Sequence, residues 1–332
     1  MEPDAATTGL ISVRQTSDGG AAVRRAAERG ELRRVHRGWY VATAAWDAAY
    51  SEQRHRWQVL AVASSMGDTA RPIFVRSSAA VCWGLPLFRQ PPKRVHVAAT
   101  TADGRASSPG LVARHRIDVP AADRVEIGGL ACTSLERTVI DMARTSPVET
   151  GVACADAAMR LRTLDPVGGG YDLDRAEAFR EKLIANLGRH GGARGVRRAR
   201  FVVSFADGRA ELPGESLSRL MLHTLGYASP RLQVAVRGPG GRDYRVDFGL
   251  DDVNAWGEFD GRGKYGFGDA ADAAAAAEVV EAEKRREDWI RGVTGRRMIR
   301  WGMSDLRSLD VFAQRLAAFG AYPRGLHRRI LP

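Results

Sequence analysis

The chain has 332 residues, 44% of them hydrophobic and 27% charged, which is typical of folded globular domains and excludes wholesale disorder. Lysine and arginine number 50 against 39 acidic residues, and the resulting formal net charge of +11 favours a polyanionic partner such as nucleic acid. The three cysteines have no zinc-ligand spacing, and no apolar run suits a signal peptide or a membrane span. We therefore expect a cytoplasmic protein without a membrane partner. The positive charge has an alternative explanation, namely an arginine-rich surface that serves only solubility.

Residues 1–48 are predicted to form a winged helix-turn-helix. The pattern after Gly9 predicts a short helix, a turn, a second helix from Ala21 to Arg29, and a two-stranded wing that turns at Arg37-Gly38. Val23 faces a small core in this arrangement, so the basic residues of the helix and wing project outward. The arginines expected to contact DNA phosphates are Arg24, Arg25, Arg29, Arg33, Arg34 and Arg37.

Residues 49–166 are predicted to form a mixed middle domain without a catalytic signature. Thr133 and Glu136 have the spacing of a capping box, in which Thr133 begins a helix with a buried apolar stripe. The histidines of this region have no partner at a metal-ligand or catalytic spacing, so we assign no chemistry to His55, His96 or His115. Glycines at positions 168–170 then mark a linker and connecting helix over residues 167–193.

The first half of the chain resembles the AbiEi family of antitoxins. The run GELRRVHRGWY, residues 30–40, is similar to the end of the winged-helix module of that family. The segments SSAAVCWGLPL from Ser77, Val95-His96-Val97 and TSLERTVIDMAR from Thr133 are similar to the domain that follows it. The resemblance implies binding to DNA and a nucleotidyltransferase-like toxin as a partner. A winged helix that makes only protein contacts is the alternative.

The last segment, residues 194–332, carries the acidic residues that point to chemistry. A helix that opens at Pro213-Gly214-Glu215 is followed by two predicted strands, Tyr244 to Leu250 and Ala255 to Asp260. If the strands pair as a hairpin, Asp247 and Glu258 approach each other, and Glu215 completes an oxygen-rich cluster that suits Mg²⁺. A metal ion held by such a cluster can activate water for phosphodiester hydrolysis. The alternative is that the two strands form a charged hairpin that binds no metal.

The order Glu215, Asp247, Glu258-Phe259-Asp260 resembles the very-short-patch-repair (Vsr) branch of the PD-(D/E)XK endonucleases. The resemblance covers about residues 194–306 and implies a restriction-endonuclease-like α/β domain. It implies that Glu215 is the acid of the first helix and that Asp247 and Glu258 are metal ligands. The third motif reads Glu-Phe-Asp instead of Glu-x-Lys. Either Lys264 or Lys284 supplies the missing positive charge, or the fold persists without activity.

The alanine-rich run that reaches Val293 predicts a further helix, followed by a strand from Met298 to Trp301. Trp289 is expected in the core, and Lys284 and Arg285 are expected beside a bound phosphate backbone or simply in solvent. We therefore predict an α+β multidomain protein that binds DNA and has a Mg²⁺-dependent endonuclease-like C-terminal domain. A non-catalytic antitoxin or repressor of an AbiE-like system is the alternative, and RNA as the substrate stays open.

Overall fold

The computed structural model describes residues 9–15, 20–66, 71–99, 110–164, 170–261, 273–324 and 330–332. It is a mixed α+β protein, which agrees with the predicted α+β class, and it divides into two compact units. The first unit comprises Met1–Ala158 and Glu177–Ser204, and the second comprises Met159–Ala176 and Phe205–Pro332. Among the described residues, every helix is too short or too polar to traverse a lipid bilayer.

A small three-stranded sheet opens the first unit. Strand β1 (Ile11–Ser12) and strand β2 (Leu32–His36) both pair antiparallel with β3 (Trp39–Ala42), and helix α1 (Ala21–Glu28) lies between β1 and β2 in the chain. The predicted second helix and hairpin are confirmed. Over the described residues 9–15 the predicted first helix is wrong, because Ile11 and Ser12 pair with β3 and Val13–Gln15 forms a 3₁₀ turn.

Further helices and two short strand pairs complete the first unit. Strands β4 (Val95–Ala99) and β5 (Val112–Arg116) are parallel, whereas β6 (Arg124–Ile127) and β7 (Leu130–Thr133) are antiparallel. The helices are α2 (Thr43–Ala48), α3 (Ser51–Met66), α4 (Arg76–Cys82), α5 (Leu135–Thr145), α6 (Val148–Thr163), α7 (Leu173–Gly188) and α8 (Val196–Phe205), of which α6 and α7 extend into the second unit.

The capping residue of α5 differs from the predicted one. The Ser134 hydroxyl, one residue later than predicted, accepts the hydrogen bond from the Arg137 backbone N–H at 3.3 Å. The Thr133 hydroxyl is instead paired with the Thr138 hydroxyl at 2.8 Å. The predicted apolar stripe of this helix is confirmed, since Leu135, Val139 and Met142 are all buried.

A four-stranded sheet forms the centre of the second unit. Helix α9 (Pro213–Leu225) precedes the antiparallel strands β8 (Arg231–Arg237), β9 (Asp243–Leu250) and β10 (Ala255–Asp260). Helix α10 (Ala273–Thr294) then leads to β11 (Arg297–Gly302), which is parallel to β10, and α11 (Leu309–Ala317) follows. The predicted helices and strands of this segment are confirmed within a few residues.

The core of the second unit packs around aromatic residues of the sheet. Trp301 is buried between Phe248 and Phe312, with ring centroids 5.3 and 5.2 Å away, and its Nε1 donates to the Ser218 hydroxyl at 2.8 Å. The prediction that Trp289 belongs to the core is wrong. This side chain is 39% exposed, because its indole N–H reaches the Arg237 carbonyl oxygen at the surface.

Candidate active site

The start of α9 places Glu215 against the sheet of the second unit. Pro213 occupies the first turn, where its missing N–H costs no helical hydrogen bond. Gly214 allows close packing, because a Cβ at this position would lie 2.1 Å from Cζ of Phe259 on β10. Glu215 follows directly and is only 4% exposed, and its Oε2 accepts a hydrogen bond from the Glu211 backbone N–H at 2.9 Å.

Asp247 lies on β9 at the face that the sequence predicts. Its neighbours Val246 and Phe248 are fully buried on the opposite face, as strand alternation requires. Asp247 is half-buried, and its Oδ2 accepts a hydrogen bond from the Phe259 backbone N–H at 2.9 Å. The carboxylate is therefore held against β10, beside Glu258.

The side chain of Gln233 lies near both Glu215 and Asp247, and the sequence did not predict a role for Gln233. Its Nε2 lies 3.5 Å from Oε2 of Glu215 and 3.5 Å from Oδ1 of Asp247. The strand register pairs Leu232 with Phe248 and Val234 with Val246, so Gln233 stands opposite Asp247. Its φ of 49° is in the left-handed region, which is uncommon for a residue with a side chain. The sequence shows Gln233 only as a polar residue inside an apolar strand. Its contacts with Glu215 and Asp247 depend on the register of β8 and β9, which the sequence does not reveal.

Burial and the charges of neighbouring carboxylates raise the pKa of both carboxyl groups. Burial raises the pKa of Glu215 to about 8, and the nearby charge of Asp247 adds to the effect. Burial also raises the pKa of Asp247 to about 6, with the Glu258 carboxylate adding to the rise and the Phe259 N–H opposing it. At neutral pH Glu215 is mostly protonated and Asp247 mostly charged, so the pair holds less negative charge than two free carboxylates.

Glu258 lies beside Asp247, but two arginines hold its carboxylate. Its Oε1 is 2.7 Å from Nη2 of Arg286, an ion pair without hydrogen-bond alignment, and its Oε2 is 3.0 Å from Nη2 of Arg300. Arg300 also contacts Glu283 at 2.6 Å. The sequence reasoning missed both arginines. Helical spacing could have identified Arg286, which is four residues before the buried Ile290 and so shares its face of α10.

Of the remaining basic residues predicted for this segment, the two that the structure describes, Lys284 and Arg285, do not join the acids. Lys264 lies outside the described residues. Lys284 and Arg285 are exposed on α10, and Arg285 pairs with Glu281 one turn earlier at 3.2 Å. In the described part of the chain, the positive charges that contact Glu258 are Arg286 and Arg300.

The donor chemistry of Glu215 and Asp247 fits a divalent cation. Among the described residues, no group of three or more His, Cys, Asp or Glu side chains is placed to hold a metal ion. The two acids nevertheless offer hard oxygen ligands, and their pKa values are raised chiefly by burial, which disfavours the charged form. Glu258 differs from them, because guanidinium groups already neutralise it.

The arginines predicted to meet DNA lie on the outer surface of α1, β2 and the following turn. All six side chains are exposed: Arg24, Arg25, Arg29, Arg33, Arg34 and Arg37. Arg29 pairs with Glu31 through its Nε at 2.7 Å. The guanidinium of Arg33 lies over the Trp46 ring, 5.1 Å from its centroid.

The three histidines to which the sequence assigns no chemistry each contact another polar side chain. His96 Nδ1 and His115 Nε2 are 2.7 Å apart on the parallel strands β4 and β5, and the rings are stacked. Burial lowers the pKa of His96 to about 3 and that of His115 to about 4. His55 Nε2 lies 2.9 Å from the buried Ser78 hydroxyl. The His96–His115 pairing depends on a parallel strand register that residue spacing alone does not reveal.

Comparison with known proteins gives only uncharacterized relatives. No family model matches the chain. Uncharacterized proteins MT2308 and Rv2248 of two Mycobacterium tuberculosis strains are each 29% identical over 157 residues, which cover 46% of this chain and 53% of the relative. The chain thus spans about half the length of the curated relatives it matches. The crystal structure of the RV2827C protein from Mycobacterium tuberculosis aligns with 69% of this chain and 84% of its own, at 18% identity and a TM-score of 0.33, too low to support an inference.

Proposed function

We propose that the protein binds DNA and that its second unit cleaves phosphodiester bonds with a divalent cation held by Glu215 and Asp247. The observation that carries the proposal is the pair of carboxyl groups, from α9 and β9, that approach the same Gln233 amide. Burying two acidic groups side by side costs free energy, and such strongly perturbed acids are concentrated in functional sites.

The order of elements supports the finer assignment of a restriction-endonuclease-like domain. Helix α9, the antiparallel strands β8 to β10, helix α10 and the parallel strand β11 follow each other in the chain. Glu215 is on the first helix, Asp247 on the second strand and Glu258 on the third. The resemblance to Vsr-like PD-(D/E)XK enzymes implies the acids in this order, with Glu215 on the first helix and Asp247 and Glu258 as metal ligands.

Each residue of the proposed site has a separate role in hydrolysis. A bound Mg²⁺ supplies an activated water and neutralises charge on the scissile phosphate. Asp247 and Glu215 would hold the cation, for which Glu215 would have to lose its proton to solvent. The Gln233 amide orients both carboxylates. Arg286 and Arg300 provide the positive charge that the Glu-Phe-Asp motif lacks at its third position.

The exposed arginines of the first unit supply the DNA affinity in this proposal. Arg24, Arg25 and Arg34 lie on α1 and β2, where a winged helix presents basic side chains to the duplex. The net charge of +11 favours approach to a polyanion. Binding is therefore expected to weaken steeply as the salt concentration rises.

A plasmid-nicking assay tests the proposed activity. Supercoiled DNA, linear duplex and single-stranded RNA are incubated with the protein in Mg²⁺, Mn²⁺ or EDTA. We expect metal-dependent nicking of DNA that Asp247→Asn and Glu215→Gln abolish. Asp243→Asn is the matched control, because Asp243 is an exposed acid on the same strand that pairs with Arg237. Cleavage of RNA but not of DNA would show that RNA, and not DNA, is the substrate.

A non-catalytic antitoxin or repressor with a nucleotidyltransferase-like toxin as partner is the second candidate. The contacts of Arg286 and Arg300 with Glu258 favour it, because a neutralised carboxylate is a poor metal ligand. DNA binding that falls with salt, without cleavage under any metal condition, would select this function. Cleavage that survives Asp247→Asn would contradict the assigned site.

A further inference from the structure

A polar cavity of about 380 Å³ lies within the first unit, apart from the acidic site. Its volume is within the range of ~300–1,000 Å³ found for small-molecule sites. Its lining is rich in basic groups, namely Arg76, Arg137, Arg144, Arg189 and His190.

Buried ion pairs fix one wall of this cavity. Arg137 donates from Nε to Asp141 Oδ2 at 3.1 Å and from Nη1 to Asp123 Oδ2 at 3.3 Å, and all three residues are buried. Arg189 donates to the other oxygen of Asp123 at 2.9 Å. These charges compensate each other and hold the wall rigid.

Two donors at the cavity have no acceptor among the described residues. No described side chain or backbone oxygen accepts a hydrogen bond from the Arg76 guanidinium. Burial lowers its pKa, the charge of Asp141 opposes this, and the neighbouring Arg144 lowers the pKa further. His190 Nδ1 lies 3.2 Å from Nη1 of Arg144, which can only donate, so the neutral ring carries its proton on Nε2. That Nε2 is buried, and none of the described residues bonds to it.

We propose that this cavity binds the phosphate group of a small phosphorylated molecule. Four lining arginines face three lining aspartates, Asp118, Asp123 and Asp141, which leaves an excess of positive charge. A phosphate group offers the several acceptor oxygens that donors from different directions require, whereas a carboxylate offers two. A planar guanidinium is well suited to this role. The remaining volume accommodates the group that carries the phosphate.

Isothermal titration calorimetry of the full chain tests the proposal with inorganic phosphate, a nucleoside 5′-monophosphate and citrate as probes. We expect one saturable site for the phosphate-bearing probes. Arg76→Gln removes a charge but no described hydrogen bond, so the variant should fold and bind about tenfold more weakly. Arg76→Lys should recover part of the affinity. His190→Phe should also weaken binding, because it removes the Nε2 donor.

The matched control is Arg116→Gln, an exposed arginine on β5 that does not line the cavity. It should change the affinity by less than about twofold. Tighter binding of the monophosphate than of inorganic phosphate would support a nucleotide ligand, and equal affinities would support a site for the phosphate group alone. Absence of saturable binding, unchanged affinity in Arg76→Gln, or tighter binding of citrate than of both phosphate probes would overturn the proposal. None of these results depends on whether the protein cleaves DNA.

Discussion

Glu215 and Asp247 lie on different elements, yet one carboxyl oxygen of each is 3.5 Å from the same amide nitrogen of Gln233. The helix α9 delivers the first acid and the strand β9 the second. Burial raises the pKa of both acids, and a neutral amide offsets this rise less than a cation would. We therefore expect the stability of the second unit to depend on pH.

The free energy of unfolding should fall as the pH rises from about 5 to 8, because the folded state binds a proton at Glu215 that the unfolded state releases. The pKa of Glu215 is raised from 4.5 to about 8, so its stabilising effect is complete below pH 4.5 and lost by about pH 8. Glu215→Gln should remove a pH-dependent term on the order of a few kcal/mol in urea denaturation. Glu281→Gln, at an exposed acid of α10, is the control, and parallel pH profiles for wild type and Glu215→Gln would refute the prediction.

Gly214→Ala should destabilise the second unit by about 1–3 kcal/mol, because the new methyl group would collide with the Phe259 ring. Phe259→Leu in the same chain should recover part of the loss, since it removes the ring. Gly292→Ala on α10 is the matched control, because nothing lies within 4 Å of its added Cβ. Thermal unfolding of the four proteins measures these changes, and equal melting temperatures for Gly214→Ala and wild type would contradict the packing described here.

Arg24→Gln and Arg34→Gln should each lower DNA affinity and reduce the slope of log affinity against log salt by about one, if each arginine contacts a phosphate. Arg29→Gln is the comparison, because its guanidinium is already paired with Glu31 and should contribute less. Fluorescence anisotropy at several salt concentrations gives the slopes. Unchanged slopes in both variants would contradict the assignment of the DNA-binding surface to α1 and β2.

Arg137→Met should cost about 3–5 kcal/mol of stability, because it leaves Asp123 and Asp141 buried without their shared cation. Arg189→Met, which removes a half-exposed partner of Asp123, should cost less than about 1 kcal/mol. Urea denaturation of both variants distinguishes the two values. Similar losses would show that the Arg137 pairs are not the main stabilising contacts of that cluster.

Local patterns were sufficient to predict much of the second unit. The apolar stripe and the terminal glycine defined α9, and strict alternation defined the faces of β9 and β10. These features depend on residues a few positions apart, which the sequence displays directly. Asp247 was therefore placed correctly on its strand before any long-range contact was known.

Contacts between distant segments were not predictable in the same way. The position of Gln233 opposite Asp247 follows from the register of β8 and β9, and the His96–His115 pair follows from the parallel register of β4 and β5. Both arginines of Glu258 also come from elements later in the chain. Such pairings require the tertiary arrangement, because the chain separation between the partners carries no periodic signal.

Mn²⁺ binding measured by electron paramagnetic resonance is the most direct test of the account, because Glu215 and Asp247 are claimed to hold a divalent cation. The account predicts one Mn²⁺ bound per chain at pH 8, retained in Asp243→Asn and lost in Asp247→Asn. Binding should weaken at pH 6, where protons compete for both carboxyl groups. Wild-type protein that binds no Mn²⁺, or an Asp247→Asn variant that binds it as well as wild type, would contradict the account.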